Sequence, residues 1–325
     1  QFLEYLESGE RDPEEIAFME PQAGGACRAG NIYNLLQRVL YRMAEQGQTE
    51  YAQIPVISLN LMGEEKHTGF RITPGLLSGG IAAGCYGDLI MCLYQQVKPY
   101  EQNPGETDRI RSQVEKKLCE SIRRHRNGRH TREKNYRYAC EAFSKVPVKP
   151  GKKKRVGITG EIYMKYSKLG NDDIESFLLR QGMEPYSGGF VNYCLYLVDT
   201  ERYKAEKYQH NPIMAKACAF VLHRLCEAQK HLLTVIGETD RFQTDLPFPE
   251  LKEKVQGILA EGCNTGDGWL IAAEVIQYVE KGCGSVLILH PFGCLVSHVC
   301  ERGILQRLHA RFPDVSIQTI EYDYD

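Results

Sequence analysis

Ile32, Leu35, Leu36, Val39, Leu40 and Met43 recur at the three-to-four-residue spacing that turns one stripe of a helix toward a core. The acidic residues 1–20 before it read as helical, and Gly24, Gly25 and Gly30 form a turn between the two. Ile54-Pro55-Val56-Ile57-Ser58-Leu59-Asn60 is a short apolar run with β-branched residues and predicts a buried strand. A helix is expected from Ile81 to Gln96, and Pro99 and Pro104 punctuate the chain before another starts near Glu106. Beyond residue 154 the pattern alternates. Strands are expected at 155–160, 285–289 and 315–321, and helices at 173–181, after a cap at Asn171-Asp172, and at 213–236, 251–259, 269–280 and 297–311. This alternation predicts an α/β protein of two Rossmann-like domains with mainly parallel, doubly wound sheets. No internal repeat is visible.

Charge sharpens the division. From Arg109 to Arg155 there are 17 Lys or Arg against four Glu and no Asp, a local excess of 13 positive charges. The block ends in Pro147-Val148-Lys149-Pro150-Gly151-Lys152-Lys153-Lys154-Arg155, which reads as a linker by its prolines, glycine and like charges. The expected organisation is a first α/β domain over 1–148 with a basic helical C-terminal part, a basic linker over 149–155, and a second Rossmann-like domain over 156–325. A solvated helix and linker is the commoner meaning of such a block, while coenzyme phosphates or an acidic partner would also suit its arginines.

With 325 residues, 42% of them hydrophobic, the chain can bury one large core or two ordinary ones. No apolar run is seen to approach the roughly 18 to 20 residues of a membrane span, and no signal peptide opens the chain. A cytoplasmic protein without membrane contact is expected. The 12 cysteines read as reduced thiols, and none has the C-x-x-C spacing of a zinc ribbon or redox pair. A net charge of −2 implies no general attraction to nucleic acid. No phosphate-binding P-loop occurs, so ATP hydrolysis is not expected in this chain.

Chemistry concentrates in Ser285-Val286-Leu287-Ile288-Leu289-His290-Pro291-Phe292-Gly293-Cys294, an apolar strand running into a turn at a helix start. Open α/β sheets bind ligands outside the carboxyl ends of their strands, and a helix amino end favours a thiolate, the form that ligates iron. An unpaired cysteine in a tight turn is also, more often than not, a small buried hydrophobe. His298 follows one turn after Cys294 and reads either as a donor to a ligand there or as a cap of its own helix. Cys27 follows two glycines and precedes Arg28 and Gly30, an arrangement that lets backbone approach a ligand closely. Gly157, Gly160 and Glu161 form a strand-end glycine turn suited to a cofactor, without completing a dinucleotide fingerprint.

Several segments together resemble the 2-hydroxyacyl-CoA dehydratase-like iron–sulfur proteins, in particular the group associated with an ATP-hydrolysing activase. They are the Cys294 segment, Gly266-Asp267-Gly268-Trp269-Leu270, Ile320-Glu321-Tyr322-Asp323-Tyr324-Asp325, Gly24-Gly25-Ala26-Cys27-Arg28-Ala29-Gly30-Asn31-Ile32-Tyr33, Lys98-Pro99-Tyr100-Glu101 with Gly105-Glu106-Thr107-Asp108, and Val156-Gly157-Ile158-Thr159-Gly160-Glu161-Ile162-Tyr163. Departures stand at Ala26 for Pro, Ala29 for Phe and Val296-Ser297 for Pro-Asn, and an N-terminal region with a further cysteine motif is not found, so a fragment of a longer protein is expected. The resemblance implies an iron–sulfur cluster with Cys294 and Cys27 as ligands. It further implies low-potential electrons delivered by an ATP-dependent activase, separate or fused, and a 2-hydroxyacyl-CoA thioester as substrate. The alternatives are a double-cubane-cluster reductase of small molecules, or a cluster-free domain that docks the activase or binds acyl-CoA.

Overall fold

A computed structural model of the chain describes residues 2–21, 28–59 and 73–323. The chain forms two compact units, Gln1–Arg71 and Ile72–Asp325.

In the first unit, α1 (Phe2–Glu7), β1 (Phe18–Pro21), α2 (Ile32–Glu45) and β2 (Val56–Leu59) follow in order. The two strands pair in parallel, with Phe18 opposite Val56. Leu6, Leu40, Tyr51, Ile54 and Val56 form the core, to which the α2 stripe contributes Leu40. The helix expected over the first 20 residues is shorter than its acidity suggests. Asp12 caps a single 3-10 turn at Pro13–Glu15, and the chain then extends into β1. Proline accepts the first position of such a turn but cannot continue a preceding helix through it.

The second unit contains α3 (Pro74–Val97), α4 (Glu106–Arg123), α5 (Arg129–Ser144), β3 (Arg155–Gly160), α6 (Ile162–Tyr166), α7 (Ile174–Arg180), β4 (Glu184–Ser187), α8 (Phe190–Lys207), α9 (Pro212–Gly237), α10 (Phe248–Glu253), α11 (Gly268–Glu280), β5 (Ser285–Pro291), α12 (Arg302–Arg311) and β6 (Ser316–Tyr322). Its sheet is four-stranded and wholly parallel, in the order β4-β3-β5-β6. The unit is therefore α/β, as the alternation predicts. β4 and α8 have no counterpart in the sequence pattern. Glu184-Pro185-Tyr186-Ser187 carries weak strand residues, which the sheet tolerates because β4 lies at its edge, where a missing N–H is harmless.

The division between units differs from the expected one at 149–155. Leu89, Leu93, Tyr136 and Phe143 from α3 and α5 share one core with Leu232, Trp269, Ile276 and Val286, so the helices before the basic segment belong to the sheet that follows it. The segment itself is pinned. Lys149 N donates to Tyr100 O at 2.7 Å, Lys153 N to the Tyr100 hydroxyl at 3.1 Å, and Val148 bridges to Glu101. Part of the basic block is neutralised along its own helices, in the pairs Arg111–Glu115, Arg124–Glu120 and Arg137–Glu133.

α3 is longer than expected because Thr73 caps it, accepting from Leu76 N at 3.1 Å with Pro74 at the first helical position. Against the sequence expectation, the stretch Pro74–Tyr100 is long and apolar enough to cross a membrane by length and composition. In this fold part of that stretch has another use, since Ala82, Cys85, Tyr86, Leu89, Leu93 and Val97 are buried in the core, while Leu76 and Leu77 stay exposed.

Candidate functional site at the carboxyl edge of the sheet

β3 lies between β4 on one side and β5 on the other, so the connections leaving its neighbourhood wind to opposite sides. The carboxyl ends of β3 and β5 form the topological switch point, where doubly wound sheets place their ligands. Gly160 and Glu161 end β3 and the turn 291–294 ends β5, and the two ends touch. Glu161 N donates to Leu289 O at 2.8 Å. A Cβ on Gly160, whose φ is +133°, would stand 2.0 Å from Leu289 O. Gly160 therefore permits a close approach of two strands that any side chain would block. Gly157 has a different task, in mid-strand: a Cβ there would meet the Tyr278 ring at 2.7 Å.

The amides of α6 are already taken. Glu161 caps that short helix, accepting from Tyr163 N and Met164 N, each at 3.0 Å. Its carboxylate occupies the place where a cofactor phosphate would otherwise meet these N–H groups. Burial raises its pKa.

Cys294 sits across the switch point. Gly293 turns the chain at φ +68°, Cys294 N bonds back to Pro291 O at 3.2 Å, and the thiol is half-buried. The Ser297 hydroxyl donates to its Sγ at 3.2 Å. Ser297–Glu301 forms a π-helical turn, a widening that often marks functional sites, before α12 begins. Glu301 closes this turn with its carboxyl fully buried, and neither oxygen has a hydrogen-bond partner among the described residues. Burial pushes that carboxyl up to about 8, against the pull of the nearby Ser297 hydroxyl. Asp267, at the start of α11, is raised well above the usual carboxylate range by burial and by the fields of Glu161, Glu301 and Glu274.

These surroundings reverse the electrostatics expected for Cys294. A helix amino end favours a thiolate, yet here the thiol is raised above its ordinary value, first by burial and further by Glu161 and Glu301, while Ser297 opposes them. Desolvation and two facing carboxyls outweigh a helix start that opens on a widened turn.

His298 is turned away from the thiol. Its Nδ1 lies 2.7 Å from Cys294 O, so this nitrogen donates to the backbone, and Nε2 lies 3.7 Å from Glu321. The buried His290 packs edge-on against it with ring centroids 5.4 Å apart, and burial lowers the His290 pKa. Cys27, the second expected iron ligand, lies outside the described residues.

An iron–sulfur cluster needs several converging soft ligands. Among the described residues no group of three His, Cys, Asp or Glu side chains is placed to hold a metal ion. Cys300 lies near enough to feel both Cys294 and Cys263, yet these thiols as placed do not converge on one ion, and the described residues by themselves do not fit a cluster.

Ser297 and Glu301 were legible in principle, since they follow Cys294 by three and seven residues and such spacing shares a helical face. Asp267 stands in a glycine-flanked motif. Nothing local marks Lys165 and Glu274, which form a buried ion pair at 2.7 Å behind the site. The chain matches no family model, no curated protein and no solved structure.

Proposed function

We propose that the chain is a component of a 2-hydroxyacyl-CoA dehydratase-like iron–sulfur protein, to which its second unit contributes the ligand-bearing edge of a doubly wound sheet. The observation that carries this reading is the position of Cys294, a half-buried thiol at the end of β5 directly across the switch point from Glu161. Any cluster would need ligands beyond Cys294, with Cys27, outside the described residues, the first candidate. The wider reading includes an ATP-dependent activase as electron donor, an acyl-CoA substrate, a cytoplasmic location, and no role for nucleic acid or membrane. The two-Rossmann organisation belongs to the same proposal. It is supported by a parallel β1-α2-β2 crossover in the first unit and the four-stranded parallel sheet in the second.

A second reading, a cluster-free domain that binds acyl-CoA or docks the activase, is favoured by burial and, beyond it, the carboxyls of Glu161 and Glu301, which together hold the Cys294 thiol toward its protonated form. Iron and sulfide content after anaerobic purification separates the two. Under the first reading Cys294→Ser lowers bound iron while the fold is kept, because serine preserves size without supplying a soft ligand. In the full-length protein, wild type free of iron, or a variant with undiminished iron, rejects the first reading.

A further inference from the structure

The amino end of α8 is held by two carboxyl groups that reach it from different parts of the chain. Asp88, on α3, accepts from Phe190 N at 2.7 Å and from Val191 N at 2.9 Å. Asp245, in the segment between α9 and α10, accepts from Gly189 N at 3.2 Å through one oxygen. Its other oxygen takes the Tyr186 hydroxyl at 2.6 Å and Gln277 Nε2 at 3.2 Å. The two carboxyls converge on Gly189, where a Cβ would stand 2.3 Å from Asp88 Oδ2. The glycine is what admits both.

The charges around this pair do not balance it. Lys165 is a cation whose field reaches both carboxyls, and it is already engaged by both oxygens of Glu274. Glu274 adds its own negative field to Asp245. Among the described residues, the other titratable groups facing the pair are the thiols of Cys85, Cys92 and Cys194 and the phenols of Tyr166, Tyr186 and Tyr278, and burial raises all six. They stay uncharged near neutrality. The amino end of a helix supplies roughly half a positive charge, enough to favour one carboxylate but not two.

We infer that Asp88 and Asp245 share one proton across the amino end of α8, forming a pH-dependent clasp that seats α3 and the 238–247 segment on that helix. Like charges crowded onto neighbouring amides cannot both ionise without cost, so the pair titrates as a unit. Burial, reinforced by Asp245, raises Asp88 to about 7, and burial raises Asp245 as well. Both shifts are upward, so the folded state keeps a proton that the unfolded chain releases above the ordinary carboxylate range. The clasp's stabilisation is complete at low pH and is lost as pH rises through about 7.

The test uses the whole chain, with wild type, Asp88→Asn and Asp245→Asn compared between pH 5 and 8.5. The dependence of the melting temperature on pH gives the protons released on unfolding, and wild type should release about one more than either variant. Contributions from Glu301 and Asp267 are common to all three proteins and cancel. In the infrared at pH 6, over the carbonyl stretches of Glu301 and Asp267 that all three proteins share, wild type should show one further protonated carboxyl that both variants lose. Equal proton release in the three proteins, or an unchanged infrared band, overturns the inference. Should Asp88→Asn fail to fold, the infrared comparison of wild type with Asp245→Asn decides it.

Discussion

Lys165 sets its ammonium against both oxygens of Glu274, at 2.7 and 2.8 Å, with the two side chains almost wholly withdrawn from water. Thr159, on β3, donates to the same carboxylate at 2.5 Å. The pair joins α6, which follows β3, to α11, which precedes β5, and so braces both strands of the switch point. The Lys165 ammonium lowers the ionisation cost at Asp88, whereas at Asp245 and Asp267 the opposing field of Glu274 is the larger.

Breaking this pair from one side should be costly. Lys165→Met strands a buried carboxylate and is expected to destabilise the fold by about 3 to 5 kcal/mol, as Glu274→Met does for the ammonium. The double variant should be less damaged than the sum of the two, because it leaves no uncompensated charge. Denaturant unfolding of the four proteins measures this, and strict additivity would show that the two groups do not depend on each other.

Gly160→Ala should be among the most damaging single-methyl changes in the chain. Its added carbon meets the β5 backbone at 2.0 Å in a conformation, φ +133°, that other residues rarely adopt. A loss of more than about 3 kcal/mol is expected, from strain and from parting of β3 and β5. A variant that melts like wild type would mean that the two strands do not approach as closely as described.

Glu301 makes the site sensitive to pH. Its folded pKa is raised to about 8, so its share of stability is present at low pH and is lost as pH rises through that value. Glu301→Gln, which resembles the protonated acid, should gain on wild type by on the order of 3 kcal/mol between pH 5.5 and pH 9. Thermal melts at the two pH values check this, and a constant difference between the proteins would assign the buried carboxyl no role in the pH response.

Much of the fold was legible because residue patterning reports which face of an element is buried. The run into the Pro-Phe-Gly-Cys turn and the alternation beyond residue 154 carry that signal, and the α2 stripe carries it at Leu40 while its Ile32 and Leu35 stay exposed. The pattern also placed Cys294 at a strand end and Gly160 and Glu161 at another. Tertiary structure alone put those two ends side by side, because strand order depends on connections that no local window contains.

Patterning does not report what a buried face packs against. Only the packing of α3 and α5 into the same core as Trp269 moved the division between units away from the basic segment. β4, with its proline and glutamate, became a strand because a neighbour and an edge position were available to it. The ionisation of the site is likewise a tertiary property. Glu161, Asp267 and Glu301 stand on three different connections, and each reads as an ordinary carboxylate until burial gathers them. A helix start by itself favours a Cys294 thiolate, whereas the carboxyls and the loss of solvent around it favour the thiol. Local sequence thus determined where the chemistry-bearing side chains stand along their elements. Their charge, set by long-range fields in a medium with little water to screen them, was decided by the fold.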